Sequence, residues 1–248
     1  MTRTNIIPKV CSDIREKQYV LRKNRSYGLY VANQHQGRLF QLANLYSWWL
    51  EHPGIYTSQM AREEPIRLER DIRQISREGK SVMKKAWDGL REYSPLLKNV
   101  NPRVVINTAS EIDSRNLGYR NVRVSLCMPS YAPPNPLKVP ELMDEMFAEL
   151  KSIEDPIEAS FYFHLRLAGI QPFIDGNKRV ARLIQNRILY ENQLPPPTIL
   201  PADRNQYITL LENALVGFND NDLKPVREFY GFLGSKVQRH LDEALYTL

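Results

Sequence analysis

The stretch GIQPFIDGNKRVAR, Gly169 to Arg182, sets a proline, an Asp-Gly-Asn triplet and two arginines between segments of helical apolar spacing. It reads as a turn opening into a helix, where free backbone N–H groups and the helix dipole favour an anion. Gly176 lets the backbone approach a phosphate closely, and Asn177 can cap the helix or donate to a phosphate oxygen. Arg179 and Arg182 are three apart and share one helix face. Two guanidinium forks there suit a polyphosphate. Asp175 can hold a magnesium ion bridging phosphates, because magnesium takes one or two carboxylates plus phosphate oxygens. Phe173 reads as a core anchor. The alternative is a capped helix whose arginines pair with Asp175 or Glu191, and residue types alone leave both readings open.

The flanking pattern is helical. Asp155-Pro156 is an acidic cap with proline at the first helical position, and Ile157, Phe161, Leu165 and Ala168 form a stripe that Gly169 ends. Asn177 to about Glu191 follows, with Val180, Leu183, Ile184 and Ile188 buried. Pro195-Pro196-Pro197 separates it from helices over roughly 203–217 and 223–246. Upstream, a helix from Pro140 buries Leu142, Met143, Met146, Phe147 and Leu150. Five prolines between Met128 and Pro140 demand an extended, stiff loop. Val122, Val124 and Leu126 alternate with polar neighbours, which predicts a strand. The fold class is therefore all-α with one short β-hairpin.

Asn99 to Pro102 reads as a boundary between an N-terminal helical region (1–100) and a core with C-terminal helices (101–248). Within the first, residues 1–40 carry no strong period. Leu39, Leu42, Leu45 and Trp49 predict a helix over Gln36–Glu51, stopped by His52-Pro53-Gly54. Ile66–Ser76 and Ser81–Tyr93 read as two basic helices around an Arg77–Lys80 turn, with Ser81 as N-cap. That pattern admits a helix-turn-helix, in which Lys84 and Lys85 would contact DNA. An ordinary helical hairpin with a solvated basic face is the plainer reading.

Composition is that of an ordinary globular protein: 248 residues, 42% apolar, 25% charged, net charge +6. A mildly basic balance is compatible with nucleotide or nucleic-acid partners without demanding them. The N-terminus lacks the apolar run of a signal peptide, and no segment is long enough to span a bilayer. Cys11 and Cys127 have no metal-like or disulfide-like spacing. These features predict a soluble cytoplasmic protein with two free thiols and no membrane partner.

The loop as a whole resembles the signature of the Fic family (the Fido fold), HPFx(D/E)GN(G/K)RxxR. Pro172, Phe173, Asp175, Gly176, Asn177, Arg179 and Arg182 match, and Lys178 takes the variable position. The likeness covers roughly residues 105–217. Gly118-Tyr119-Arg120 and Val122 resemble the entry to the family's flap, and Pro133-Pro134 with Val139–Met143 resembles the flap-to-helix segment. His164 resembles a position of the helix before the motif, and Arg204 with Tyr207 a later R-x-x-Y helix. The resemblance implies transfer of a nucleotide part, usually AMP from ATP with Mg2+, onto a protein hydroxyl. It implies that Asp175 binds magnesium, that Gly176 to Lys178 form the anion cradle, and that Asn177 and Arg179 meet the α and β phosphates. Arg182 would meet the terminal phosphate. Lysine at 178 also occurs in the branch that includes the Doc toxins, where phosphate is transferred instead. The implied partners are a nucleotide and a protein target, with a homodimer as a further expectation.

Gln171 stands where the family's motif histidine takes the proton from the attacking hydroxyl. An amide has no accessible pKa and cannot serve as that base. Three explanations follow: a pseudoenzyme that still binds nucleotide, chemistry on a nucleophile already ionised, or an introduced substitution. Many family members are also restrained by (S/T)xxxE(G/N), whose glutamate pairs with the second motif arginine. Glu78-Gly79 has the right ending but Gln74 stands four residues before Glu78, and Ser12…Glu16 has the right start but is followed by Lys17.

Overall fold

The computed structural model describes residues 6–23, 36–51, 77–126 and 128–246. These hold ten α-helices: α1 (Pro8–Lys23), α2 (Gln36–Leu50), α3 (Arg77–Gly89), α4 (Leu96–Asn99), α5 (Pro102–Ile112), α6 (Val139–Lys151), α7 (Pro156–Ile170), α8 (Asn177–Glu191), α9 (Arg204–Asn219) and α10 (Leu223–Tyr246). The protein is mostly helical, as the sequence predicts. No helix among the described residues is long and apolar enough to cross a membrane.

Helix α7 is the axis of the molecule. Asp155 caps it by accepting from the N–H of Ile157 (2.8 Å) and Glu158 (3.3 Å), and proline follows at the first helical position. Every residue from Ile157 to Ile170 except Arg166 is buried. A helix apolar on all sides needs neighbours on all sides, and α8, α6, α9 and α10 supply them. One contiguous core runs from Ile6, Ile14 and Leu21 through Met83, Val104 and Val105 to Phe229 and Leu241. Helix α1, in a region without visible period, joins that core along α10. Cys11 is a buried free thiol there.

Three expectations are corrected. The segment Val122–Leu126 forms no strand, and no strand occurs among the described residues. Alternation creates a strand only where a second strand completes the ladder. Here Arg120 holds the segment instead, donating to the carbonyls of Val122 (2.9 Å) and Pro134 (2.7 Å). Second, Arg77–Lys80 is helical rather than a turn, so Ser81 lies inside α3 and is not its N-cap. Gly79 serves packing: a Cβ there would lie 2.5 Å from the Trp48 indole nitrogen. The first helix of the helix-turn-helix reading, Ile66–Ser76, and the stop at His52–Gly54 lie outside the described residues, as does Cys127.

Third, Gly169 does not end α7. The chain turns at Gln171, in the left-handed region (φ 51°, ψ 58°). Gly169 instead admits its neighbours, since a Cβ would meet Leu215 Cδ2 at 2.6 Å and the Tyr131 hydroxyl at 3.1 Å. Gly169→Ala gains roughly 1 kcal/mol of helix propensity but overpacks a filled core, at about 1–3 kcal/mol. Overpacking wins at a contact this short, and urea unfolding should show a net loss of up to about 2 kcal/mol. A variant as stable as the parent would contradict this packing role.

Candidate functional site

The loop between α7 and α8 is held from within and from the side. Asn177 closes it: its Oδ1 accepts from the Phe173 N–H (2.8 Å) and its Nδ2 donates to the Phe173 carbonyl (2.9 Å). It is a clamp rather than a helix cap, and no side chain caps α8. Gly176 takes φ 82°, the left-handed turn that glycine tolerates. Asn116 donates to the Asp175 carbonyl (2.9 Å). Arg120 holds the loop from the side: its N–H reaches the Pro172 carbonyl (2.8 Å) and its Nε the Gln171 carbonyl (2.6 Å). Phe173 is fully buried, as the sequence predicts.

Five charged side chains, Glu51, Asp175, Lys178, Arg179 and Arg182, meet over the first two turns of α8. Asp175, 56% exposed, accepts from the Gly176 N–H (2.6 Å) and from Arg179 (2.8 Å). The Asp175–Arg179 pair is the bland alternative that the sequence left open, whereas Glu191 pairs with Arg187 (2.8 Å). One exposed carboxylate fits a magnesium ion only together with phosphate oxygens. No cluster of three or more acidic, His or Cys side chains suited to a metal exists among the described residues.

Arg182, only 3% exposed, makes four hydrogen bonds. Its Nε donates to Ser47 Oγ (2.7 Å), one terminal nitrogen to the Tyr207 hydroxyl (3.0 Å), and the other to Ser47 O (2.9 Å) and Glu51 Oε1 (2.8 Å). The second oxygen of Glu51 meets Lys178 Nζ at 3.1 Å. Burial works against ionising Glu51, but Arg182 and Lys178 outweigh it and hold its carboxyl down to about 2. The carboxylate therefore sits as a partly buried anion between two cations.

Ser47 and Glu51 are the residues that the sequence reading missed. Ser47-Trp48-Trp49-Leu50-Glu51 has the S-x-x-x-E spacing, but His52 follows in place of Gly or Asn. Of the two candidates considered for that role, Glu16 is exposed on α1, and the side chain of Glu78 lies outside the described residues. Lys84 and Lys85 stand apart from the loop on exposed turns of α3. They pair with Asp88 and, at 2.6 Å, with Glu111.

Gln171 is buried and turned back on its own helix, its amide donating to the Ala168 carbonyl at 2.5 Å. His164 offers no substitute base. Both its ring nitrogens are engaged, Nδ1 with Gln185 Oε1 (2.6 Å) and Nε2 with Tyr207 OH (2.9 Å). Because Arg182 donates to that hydroxyl, Tyr207 donates to Nε2 and the proton sits on Nδ1. Complete burial and then the Arg182 charge push the imidazole down to about 3. The unfolded chain takes up that proton near 6.5, so stability falls as pH drops from about 6.5 toward 3. Urea unfolding should lose about 2 kcal/mol between pH 7 and 5 from this group alone. His164→Gln should flatten that part of the profile, and an unchanged slope would contradict the assignment.

Comparison with known proteins agrees with this geometry. Residues 97–189 match the model of the Fic/DOC family. Protein adenylyltransferase Fic of Nematostella vectensis is 30% identical over 171 residues, 64% of this chain and 38% of the relative. The Culex quinquefasciatus protein of that name is 29% identical over 169 residues, 64% of this chain and 32% of its own. The chain thus spans about a third of the length of these relatives. A Fic domain containing signaling protein from Bacteroides thetaiotaomicron superposes with TM-score 0.72 at 19% identity, covering 95% of this chain and 96% of that one. Fic-1 (residues 134–508) from C. elegans gives 0.69 at 18%, covering 97% and 72%.

Proposed function

We propose that this chain binds a nucleoside triphosphate, ATP by resemblance to the adenylyltransferases, at the N-terminus of α8. The observation that carries the reading is Glu51: a partly buried carboxylate bridging Lys178 and Arg182 marks a site built for anionic oxygens and filled by one of the protein's own. When phosphates replace that carboxylate, Lys178 and Arg182 hold them, with the uncapped N–H groups of α8 beneath. Arg179 and Asp175 part, freeing the Asp175 carboxylate. Magnesium, when bound there with the phosphates, would neutralise charge on the oxygens of the transferring group.

Transfer of AMP to a protein hydroxyl breaks the bond between the α phosphorus and the bridging oxygen, releases pyrophosphate and liberates the hydroxyl proton. By resemblance Gln171 stands at the position of the family's base, and a carboxamide cannot take that proton, so ordinary transfer is slow and the native protein acts chiefly by binding. The restraint on Arg182 favours a second reading, in which a nucleophile already ionised is used and turnover still needs control. An ATP titration of the Glu51→Gly protein with magnesium tests the binding reading. Saturable binding that disappears with Arg182→Ala supports it, and absence of binding ends it.

A further inference from the structure

Helix α2 treats the two motif arginines in opposite ways. Ser47 and Glu51 take three hydrogen bonds from Arg182, whereas the ring of Trp48, between them in sequence, lies against the face of Arg179, with the guanidinium carbon 5.0 Å from the ring centroid. A cation over an aromatic face keeps its in-plane N–H groups available, because the attraction acts through the ring quadrupole and not through hydrogen bonds. That edge is not used up. Arg179 is 4% exposed, its one hydrogen-bond partner among the described residues is Asp175, and its buried Nε has no acceptor there. A buried N–H without an acceptor is costly unless something is meant to arrive.

The indole is itself fixed from behind. Gly79, in the first turn of α3, lies so close that a Cβ would stand 2.5 Å from Trp48 Nε1 and 2.6 Å from Cδ1 and Cε2. The indole is therefore in contact with the α3 backbone and with the Arg179 guanidinium at once. Resting on the anion-binding reading above, we infer that Trp48 is a positioning residue: it aims the Nε edge of Arg179 at an incoming phosphate oxygen while Glu51, just past the end of the same helix, withholds Arg182. Helix α2 is then a part of the binding site as well as its restraint, so displacing the helix is not equivalent to removing Glu51.

The test uses the Glu51→Gly chain as parent, with inorganic pyrophosphate plus magnesium and ATP plus magnesium as calorimetric probes. Trp48→Leu keeps an apolar side chain but no ring, and should weaken pyrophosphate binding about tenfold. Trp48→Phe keeps the aromatic face and should stay within about threefold of the parent. Gly79→Ala, which pushes the indole from α3 without touching Arg179, should behave like Trp48→Leu and serves if that variant folds poorly. On an Arg179→Ala parent, Trp48→Leu should cause no further loss. Equal losses for leucine and phenylalanine, or no loss with leucine, would overturn the positioning role. If pyrophosphate binding depends on Trp48 but ATP does not bind, positioning stands and the nucleotide reading falls. If the parent binds neither probe, both fall.

Discussion

Glu51→Gly is expected to lower the melting temperature of the free chain and to raise its affinity for ATP with magnesium by roughly 10²-fold. Both effects have one cause. Removing one partner of a buried ion pair leaves uncompensated charge and costs about 3–5 kcal/mol, an upper bound for Glu51, whose side chain is 20% exposed. Here the abandoned charges are Arg182 and Lys178, whose shared counter-ion is Glu51. In the native chain a triphosphate must displace that carboxylate before it gains the two cations. In the variant it restores what the substitution removed. Recovery of about 2.7 kcal/mol of the loss corresponds to a hundredfold in affinity, and the ligand-induced rise in melting temperature should grow accordingly. Glu51→Gln, which keeps hydrogen-bonding capacity but no charge, should fall between the two. If Glu51→Gly melts like the native chain and binds ATP no better, the carboxylate is not the restraint on this pocket.

The second large effect concerns the proton. On the Glu51→Gly background, Gln171→His is expected to raise AMP transfer from α-labelled ATP by about 10²- to 10⁴-fold, the usual contribution of a general base. The left-handed turn that carries residue 171 is fixed by backbone contacts to Arg120 and Leu167, which the substitution leaves alone. The lost side-chain bond is the one to Ala168. Substrate binding should change little, so the gain belongs to the chemical step. Running γ-labelled ATP in parallel separates AMP transfer from the phosphate transfer that lysine at 178 leaves open. Labelling by the glutamine protein at the rate of the histidine variant would show that the nucleophile needs no base here.

The legible parts of this fold were those whose causes are local. The cap at Asp155, the proline after it, the glycine at 176 and the apolar spacing of α8 are all short-range, and helices α7 and α8 stand where the residues place them. The loop's charged side chains likewise share one end of one helix. What escaped was relational. Ser47 lies 135 residues and Glu51 131 residues before Arg182, and the pairing exists only because α2 packs on α8. Alternation at Val122–Leu126 described a strand whose partner the fold does not provide. Gly79 and Gly169 looked like punctuation because nothing nearby reveals that each faces a side chain from another element. Asn177 was read as a cap or a phosphate donor, whereas its amide is spent on Phe173.

Helix α7 is nearly all interior, and that shapes what genetics on this protein would reveal. A random-mutagenesis screen for loss of function should collect as many hits between Pro156 and Ile170 as in the loop it supports, because nearly every position there is a core position. Those hits would mostly be missing from the cell rather than present and idle. Measuring protein abundance alongside phenotype would sort them from changes in the charged side chains of α8, and so keep scaffold positions off the map of the active surface.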